Sequence, residues 1–236
     1  MLVRVISDVH SNLAALKAVL AHPDGFSADC TVCLGDTVGY GSHPIDCINL
    51  VSQECDEVVA GNHDRGAAGL ISISSFNHDG QKAIQWTRTQ LSTEHVNWLK
   101  NLPLKSFHCG IQLTHASPEH PDSWIYILNS RSAVDAILAA GDYLCVYGHT
   151  HIPMYWTRGG ECSSEPAGEF PPAAIINCGS VGQPRDGDPR AAYLLLDTEK
   201  RTFRHVRAEY NIEAAAAAIR AAGLPEHLAG RLFLGK

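Results

Sequence analysis

The run GHTH at residues 148–151 sets His149 and His151 two apart, directly after the apolar segment YLCVY. In extended chain, side chains spaced by two point the same way, so both imidazoles face one place. The same punctuation occurs four times earlier. Asp8 and His10 follow VRVIS, Asp36 follows CTVCLG, Asn62, His63 and Asp64 follow EVVAG, and His115 follows IQLT. Imidazole nitrogens with carboxylate and amide oxygens suit borderline divalent metals such as Mn, Fe, Zn, Ni or Co, and no thiolate belongs to the set. The donors are too many for one ion with open positions, and enough for two if a carboxylate is shared at a spacing of about 3.5–4 Å. Such a pair makes a bridging hydroxide available near neutral pH, orients phosphoryl oxygens and offsets charge during in-line attack. His63 is then the candidate general acid for the leaving oxygen, with Asp64 beside it to fix its orientation.

These residues need a scaffold that brings strand ends together. Residues 2–7 alternate and are β-branched, and SNLAALKAVLAH follows with helical spacing and Ser11 or Asn12 as N-cap. CTVCLG reads as a second strand, HPIDCINLVSQ as a helix and EVVAG as a third strand. This β-α-β-α-β order predicts a sheet whose core strands run parallel, with ligands gathered at their carboxyl ends. Helices are predicted over 74–91 and 92–102, the second opening on a capping-box-like Ser92, Thr93 and Glu94. Two short strands flank Gly110, a helix over 130–141 stops at Gly141, and YLCVYG is a strand. Residues 157–172 are rich in Gly, Ser and Pro and read as a surface loop. AAIINCG, AAYLLLD and TFRHVRA predict strands of a second, partly antiparallel sheet, and NIEAAAAAIRAAG a helix with a short one after it. No repeat or internal boundary is visible, so one domain over 1–236 is expected.

Composition narrows the partners. A net charge of −7 without a basic, aromatic-interleaved stretch argues against nucleic acid as the main partner. No window approaches 18 consecutive apolar residues, so no membrane span is predicted. The N-terminus reads at once as a strand rather than a secretory leader, so a cytoplasmic location is expected. The eight cysteines then read as reduced, mostly buried thiols. Cys30 and Cys33 form a C-x-x-C inside a strand, where a redox motif would open a helix.

In their order, D-x-H, G-D, G-N-H-D, a later lone histidine and G-H-x-H resemble the calcineurin-like metallophosphoesterase superfamily, in its small bacterial phosphoesterase and phosphodiesterase branch. The motifs run from Asp8 to His151, and the tail NCGSVGQPRDGDPRAAYLLLD resembles the C-terminal strand-loop-strand of small bacterial members. The resemblance implies an α/β (α+β), four-layer sandwich of two mixed β-sheets flanked by helices. It implies two divalent metal ions, with Mn, Fe, Zn or Ni foremost. Asp8, His10, Asp36 and His151 would hold the first and Asp36, Asn62, His115 and His149 the second, with Asp36 bridging and His63 as catalytic acid. Two features depart from better-known branches. GDTVGYG stands where protein serine/threonine phosphatases and diadenosine tetraphosphate hydrolases carry Asp-Arg-Gly, and Asp64 replaces their usual Glu.

The expected activity is hydrolysis of phosphomonoesters, phosphodiesters or both, on a small phosphorylated substrate with nucleotides among the candidates. A catalytically silent scaffold on the same fold and a nuclease are the alternatives. Arg185, in GSVGQPRDGDPR, could clamp a phosphate or pair with Asp186 or Asp188. Asn12, Arg65 and Tyr40 lie near ligands and could touch substrate, although capping and surface roles fit their positions. Trp124 and Tyr126, with His120, follow His115 and could wall the pocket, although apolar packing fits the two aromatics better.

Overall fold

The computed structural model describes residues 1–141 and 143–236. Its first half follows the β-α-β-α-β reading: β1 (Leu2–Ile6), α1 (Leu13–Leu20), β2 (Cys30–Cys33), α2 (Pro44–Glu54) and β3 (Glu57–Val58). The three strands pair in parallel, β1 with β2 and β2 with β3. Asn12 is the cap that starts α1, its Oδ1 accepting the Ala15 N–H at 3.2 Å. The third strand is shorter than EVVAG suggests. The chain leaves the sheet early and Asn62 opens α3 (Asn62–Ala67).

Two helices follow, α4 (His78–Gln90) and α5 (Thr93–Asn101). Next come the hairpin β4 (Lys105–His108) and β5 (Ile111–Thr114), α6 (Ser130–Ala140), β6 (Cys145–Tyr147) and β7 (Met154–Thr157). The Gly- and Pro-rich segment is not all loop. It contains β8 (Cys162–Ser163), which pairs with β7, and β9 (Ala167–Glu169), which forms a sheet edge. The chain ends with β10 (Ala174–Asn177), β11 (Ala191–Asp197), β12 (Thr202–Ala208), α7 (Ile212–Ala221) and α8 (Glu226–Gly230).

Two mixed six-stranded sheets result, ordered β3-β2-β1-β11-β12-β9 and β4-β5-β6-β10-β7-β8. The β11–β12 hairpin forms as expected but joins the first sheet, antiparallel to β1, while β10 alone enters the second. Alternation along the strands explains the layers. Val3, Val5, Val32, Leu34, Leu194 and Leu196 face Leu113, Val146 and Ile176 across the interior between the sheets. Ile6, Cys33, Tyr193 and Leu195 point outward onto Leu16 and Val19 of α1 and Val51 of α2. On the second sheet, Cys145, Tyr147, Trp156 and Ile175 pack on Ala133, Ala136 and Ile137 of α6. Each large apolar side chain so buried contributes about 1.5–3 kcal/mol. The order is therefore helices, sheet, sheet, helix. Among the described residues no helix is long and apolar enough to cross a membrane.

Candidate metal centre

The carboxyl ends of β1, β2, β5 and β6 meet along one edge of the sandwich, where both sheets contribute loops. The backbone there is unusual. Asp8, His10, Ser11, Asp36, Tyr40, His149 and His151 all have positive φ, between +48° and +67°. Such residues cost about 1–3 kcal/mol each and persist where surrounding contacts over-determine them. Those contacts are visible: His10 N and Ser11 N donate to the carbonyls of Asp36 and Thr37, and Gly182 N to that of Asp8. Close approach also requires glycine. A Cβ on Gly148 would overlap Ser7 Oγ and Asp8 Oδ2, and one on Gly61 would overlap the Asp36 carboxylate.

Within this frame the donors form two groups joined by a third that shares His10 with one and Asp36 with the other. Donor atoms of Asp8, His10 and His151 lie within 4.8 Å of one another, as do those of Asp36, His115 and His149, and those of His10, Asp36 and His63. Asp36 Oδ2 lies 3.6 Å from His10 Nε2 and 3.3 Å from His115 Nε2, between the two groups. Asp8 Oδ1 is 3.2 Å from His151 Nε2. Asn62 belongs to the same pocket, and its buried Oδ1 has no hydrogen-bond partner among the described residues.

The imidazoles test whether cations fit. A carbonyl only accepts, so each ring nitrogen facing one must carry the proton. His10 Nδ1 donates to Val38 O at 3.2 Å, His115 Nδ1 to Leu34 O at 2.8 Å, His151 Nδ1 to Gln183 O at 2.6 Å and His149 Nε2 to Trp124 O at 3.0 Å. The other nitrogen of each ring is left to face the centre, the arrangement that orients metal-binding histidines. His10 Nε2 and His151 Nε2 face each other at 3.2 Å, and His115 Nε2 and His149 Nδ1 at 3.1 Å. Two opposed lone pairs repel unless a cation or proton sits between them. Asp8 Oδ1 and Asn62 Oδ1, buried without hydrogen-bond partners among the described residues, complete a donor set that fits cations.

Protonation agrees. Burial pushes Asp8 up, but the His151 ring beside it more than offsets this and holds the carboxyl below its usual range. Asp36, likewise buried, is held well down by His115 and His63. Burial lowers His10 and His151, and lowers His149 to about 3, each toward the neutral form that metal binding requires. His115 differs. Burial lowers it, yet Asp36 and then Asp8 outweigh burial and raise it to about 9. In the protein alone it carries the proton that a bound cation would displace.

The structure places the other expected residues plainly. His63 is 3% exposed, its Nδ1 has no hydrogen-bond partner among the described residues, and burial pushes its pKa down to about 4. Its ring lies 4.4 Å from that of Tyr40 and edge-on to Phe76 at 4.9 Å. Asp64 does not orient that ring. Its oxygens accept the Val38 N–H at 3.2 Å and the Gly61 N–H at 3.0 Å, so it caps α3 and fixes the loop. Asn12 is also corrected: with Oδ1 on Ala15, its Nδ2 donates to Gly182 O at 2.9 Å, so both ends are engaged and a substrate contact is not supported. Arg185 enters the pocket, its guanidinium 5.9 Å over the Tyr40 ring and hydrogen-bonded to Gln183 Oε1 at 2.9 Å. Asp186 and Asp188 pair instead with Arg207 and Arg190. Arg65 reaches backbone carbonyls of Lys100 and Leu102.

Sequence reasoning gave the walls too little weight. Tyr126 stacks on His149 at 4.0 Å, and Trp124 holds His149 through its carbonyl. With Phe76, Asn77 and Ser123 they bound a cavity of about 250 Å³ that reaches Asp36, Asn62, His149 and His151. Asn177 was not anticipated. It is fully buried, donates to Gly148 O at 2.5 Å and Thr150 Oγ1 at 3.0 Å, and accepts from Gly179 N at 2.9 Å. It thereby ties down the loop that carries both histidines.

Fold and donors together define a class, the metal-dependent hydrolases of phosphate esters. The chain belongs to the calcineurin-like phosphoesterase superfamily, whose domain model matches residues 1–201. It is 38% identical over 242 residues to an uncharacterized protein of Methanocaldococcus jannaschii, covering 100% of this chain and 98% of that one. The crystal structure of a metallophosphoesterase from Sphaerobacter thermophilus superposes with a TM-score of 0.89 at 40% identity, covering 100% of this chain and 99% of the other. A hypothetical protein from Pyrococcus horikoshii shares the fold, with a TM-score of 0.81 at 18% identity and 100% and 98% coverage.

Proposed function

We propose that the chain is a dinuclear-metal phosphoesterase acting on small phosphorylated substrates. Asp8, His10, Asp36 and His151 would hold one ion, and Asp36, Asn62, His115 and His149 the other. The carrying observation is the pair of imidazole contacts, 3.2 and 3.1 Å, in which every outer ring nitrogen already donates to a carbonyl. When bound, two such ions lower the pKa of a water and offset charge on phosphoryl oxygens.

The rest falls to the protein. Asp36 stands between the donor groups, and its Oδ1 also accepts the His63 N–H at 2.8 Å, so the proton donor is fixed relative to the ions. Arg185 offers a planar fork of donors to the phosphoryl oxygens. Tyr40 supports that guanidinium from below and walls His63. His63 delivers a proton to the departing oxygen. The negative charge of a bound phosphoryl group favours the protonated ring that burial alone disfavours. Tyr126, Trp124 and Phe76 form an aromatic rim suited to the organic part of a small ester, nucleotides included.

The test is hydrolysis of an aryl phosphomonoester against the matching aryl phosphodiester. The protein would be stripped by chelator and reloaded with Mn, Ni, Zn, Mg or Fe under reducing conditions. Metal-restored cleavage is the expected result, and the diester-to-monoester ratio ranks the substrate classes. Two bound ions with no cleavage of either ester would overturn the proposal in favour of a silent scaffold.

A further inference from the structure

At the opposite ends of the same strands lies a second donor cluster. Cys30 opens β2, His108 ends β4, and Cys109 lies in the turn before β5. Cys30 Sγ and Cys109 Sγ are 3.0 Å apart, and a ring nitrogen of His108 lies with them inside 4.8 Å. The cluster bridges the two sheets, since β2 belongs to the first and the β4–β5 hairpin to the second. Neighbours in sequence rarely share a target, but Cys109 has φ +53°, which turns its side chain toward the point that His108 faces. The C-x-x-C spacing plays no part, because Cys33 packs in a different cluster, toward α1 and α2.

We infer that Cys30, Cys109 and His108 form a binding site for a thiophilic divalent cation of the zinc type, separate from the phosphoesterase centre. Two thiolates and one imidazole are a soft donor set, unlike the nitrogen and oxygen donors of the other edge. Binding Zn²⁺ releases two thiol protons and leaves one coordination position for water. Cys109 and His108 are only partly buried, so the site has an entry path. The surroundings favour a cation over an oxidation-sensing pair. Reactive sensor thiols need electropositive neighbours. Here the charged side chains acting on Cys30 are the carboxylates Asp56 and Asp29, which attract a cation and do not stabilise a free thiolate.

The experiment is titration of the reduced, chelator-treated full chain with Cd²⁺, following the ultraviolet thiolate-to-cadmium charge-transfer band. The oxygen and nitrogen donors of the phosphoesterase centre give no such band. The expected result is a saturable band, its loss in Cys109→Ser, and at least a tenfold weaker site in His108→Ala. Cys162→Ser, an exposed thiol elsewhere, should titrate like the parent. Cys109 is half-buried in a turn, so its variant should fold, and circular dichroism checks this. An absent band, or one unchanged in Cys109→Ser, overturns the inference. So does a Cys30–Cys109 disulfide formed with hydrogen peroxide in a protein whose reduced form takes up no cadmium.

Discussion

Replacing Asn177 by alanine isolates the loop that carries His149 and His151 without touching a ligand. The side chain makes three hydrogen bonds, two to Gly148 O and Thr150 Oγ1 and one from Gly179 N, and is fully buried. At about 1 kcal/mol net each, their loss costs about 3 kcal/mol. For a chain of this size 1 kcal/mol moves Tm by about 2–4 °C, so a drop of about 6–12 °C is expected. The loop would also lose the anchor that holds His149 and His151 at positive φ, and removing such outer supports typically weakens metal affinity about 10–100-fold. Tm would be read with chelator present, and affinity by calorimetric titration with Mn²⁺. Ile137→Ala is the control. It is buried against the far face of the second sheet and should cost about 2–5 kcal/mol while leaving affinity unchanged. If Asn177→Ala lowers Tm but binds Mn²⁺ like the parent, the loop does not need its anchor and the reasoning is wrong.

Four further outcomes are expected. Asp36→Asn should abolish metal-dependent turnover, whereas His63→Ala should retain both ions in a metal analysis and slow esters of poor leaving groups by about 10²–10⁴-fold. Loss of metal from His63→Ala would make it a ligand instead. Arg185→Gln should lower kcat/KM by about 10–100-fold through lost charged hydrogen bonds to the phosphoryl group, with Tm unchanged; equal kinetics would return Arg185 to a surface role. Burial holds His205 at about 4 against its ordinary 6.5. Its protonation favours the unfolded chain, so its contribution is complete above pH 6.5 and fades as pH falls toward 4. Between pH 7.5 and 4.5 the loss is about 2–3 kcal/mol, and urea denaturation of His205→Gln should show a correspondingly flatter acid limb.

The clustering of the candidate donors was legible because each ends an apolar run, and strand ends in an α/β sheet share an edge. Arg185 could only be named as an option, since its partner depends on how the loop over 179–190 folds back. Asp64 was misread because adjacency in sequence suggested adjacency in space. As the third residue of α3 its carboxylate turns back to Gly61 N, a capping pattern visible in GNHD itself. Asn177 left little signal: it ends an apolar strand with no titratable group, and two of its three partners lie 27 and 29 residues away. The β11–β12 hairpin was local and readable, but either sheet could accept an apolar strand, so its place beside β1 was not. The two short strands in the Gly- and Pro-rich segment pair through backbone atoms alone, which composition does not report.

His10 and His151 touch across 141 residues of chain, as do Asp8 and His149. Such pairs close late, because long loops must be ordered before the contact is rewarded. The ligand shell therefore assembles only after both sheets have formed and docked. A cation held at full affinity would report a finished fold rather than nucleate one. A growing chain released from synthesis before β6 can offer only half-sites, in which Asp8, His10 and Asp36 lack His149 and His151. Metal uptake and completion of the tertiary structure should then appear as one kinetic event in refolding.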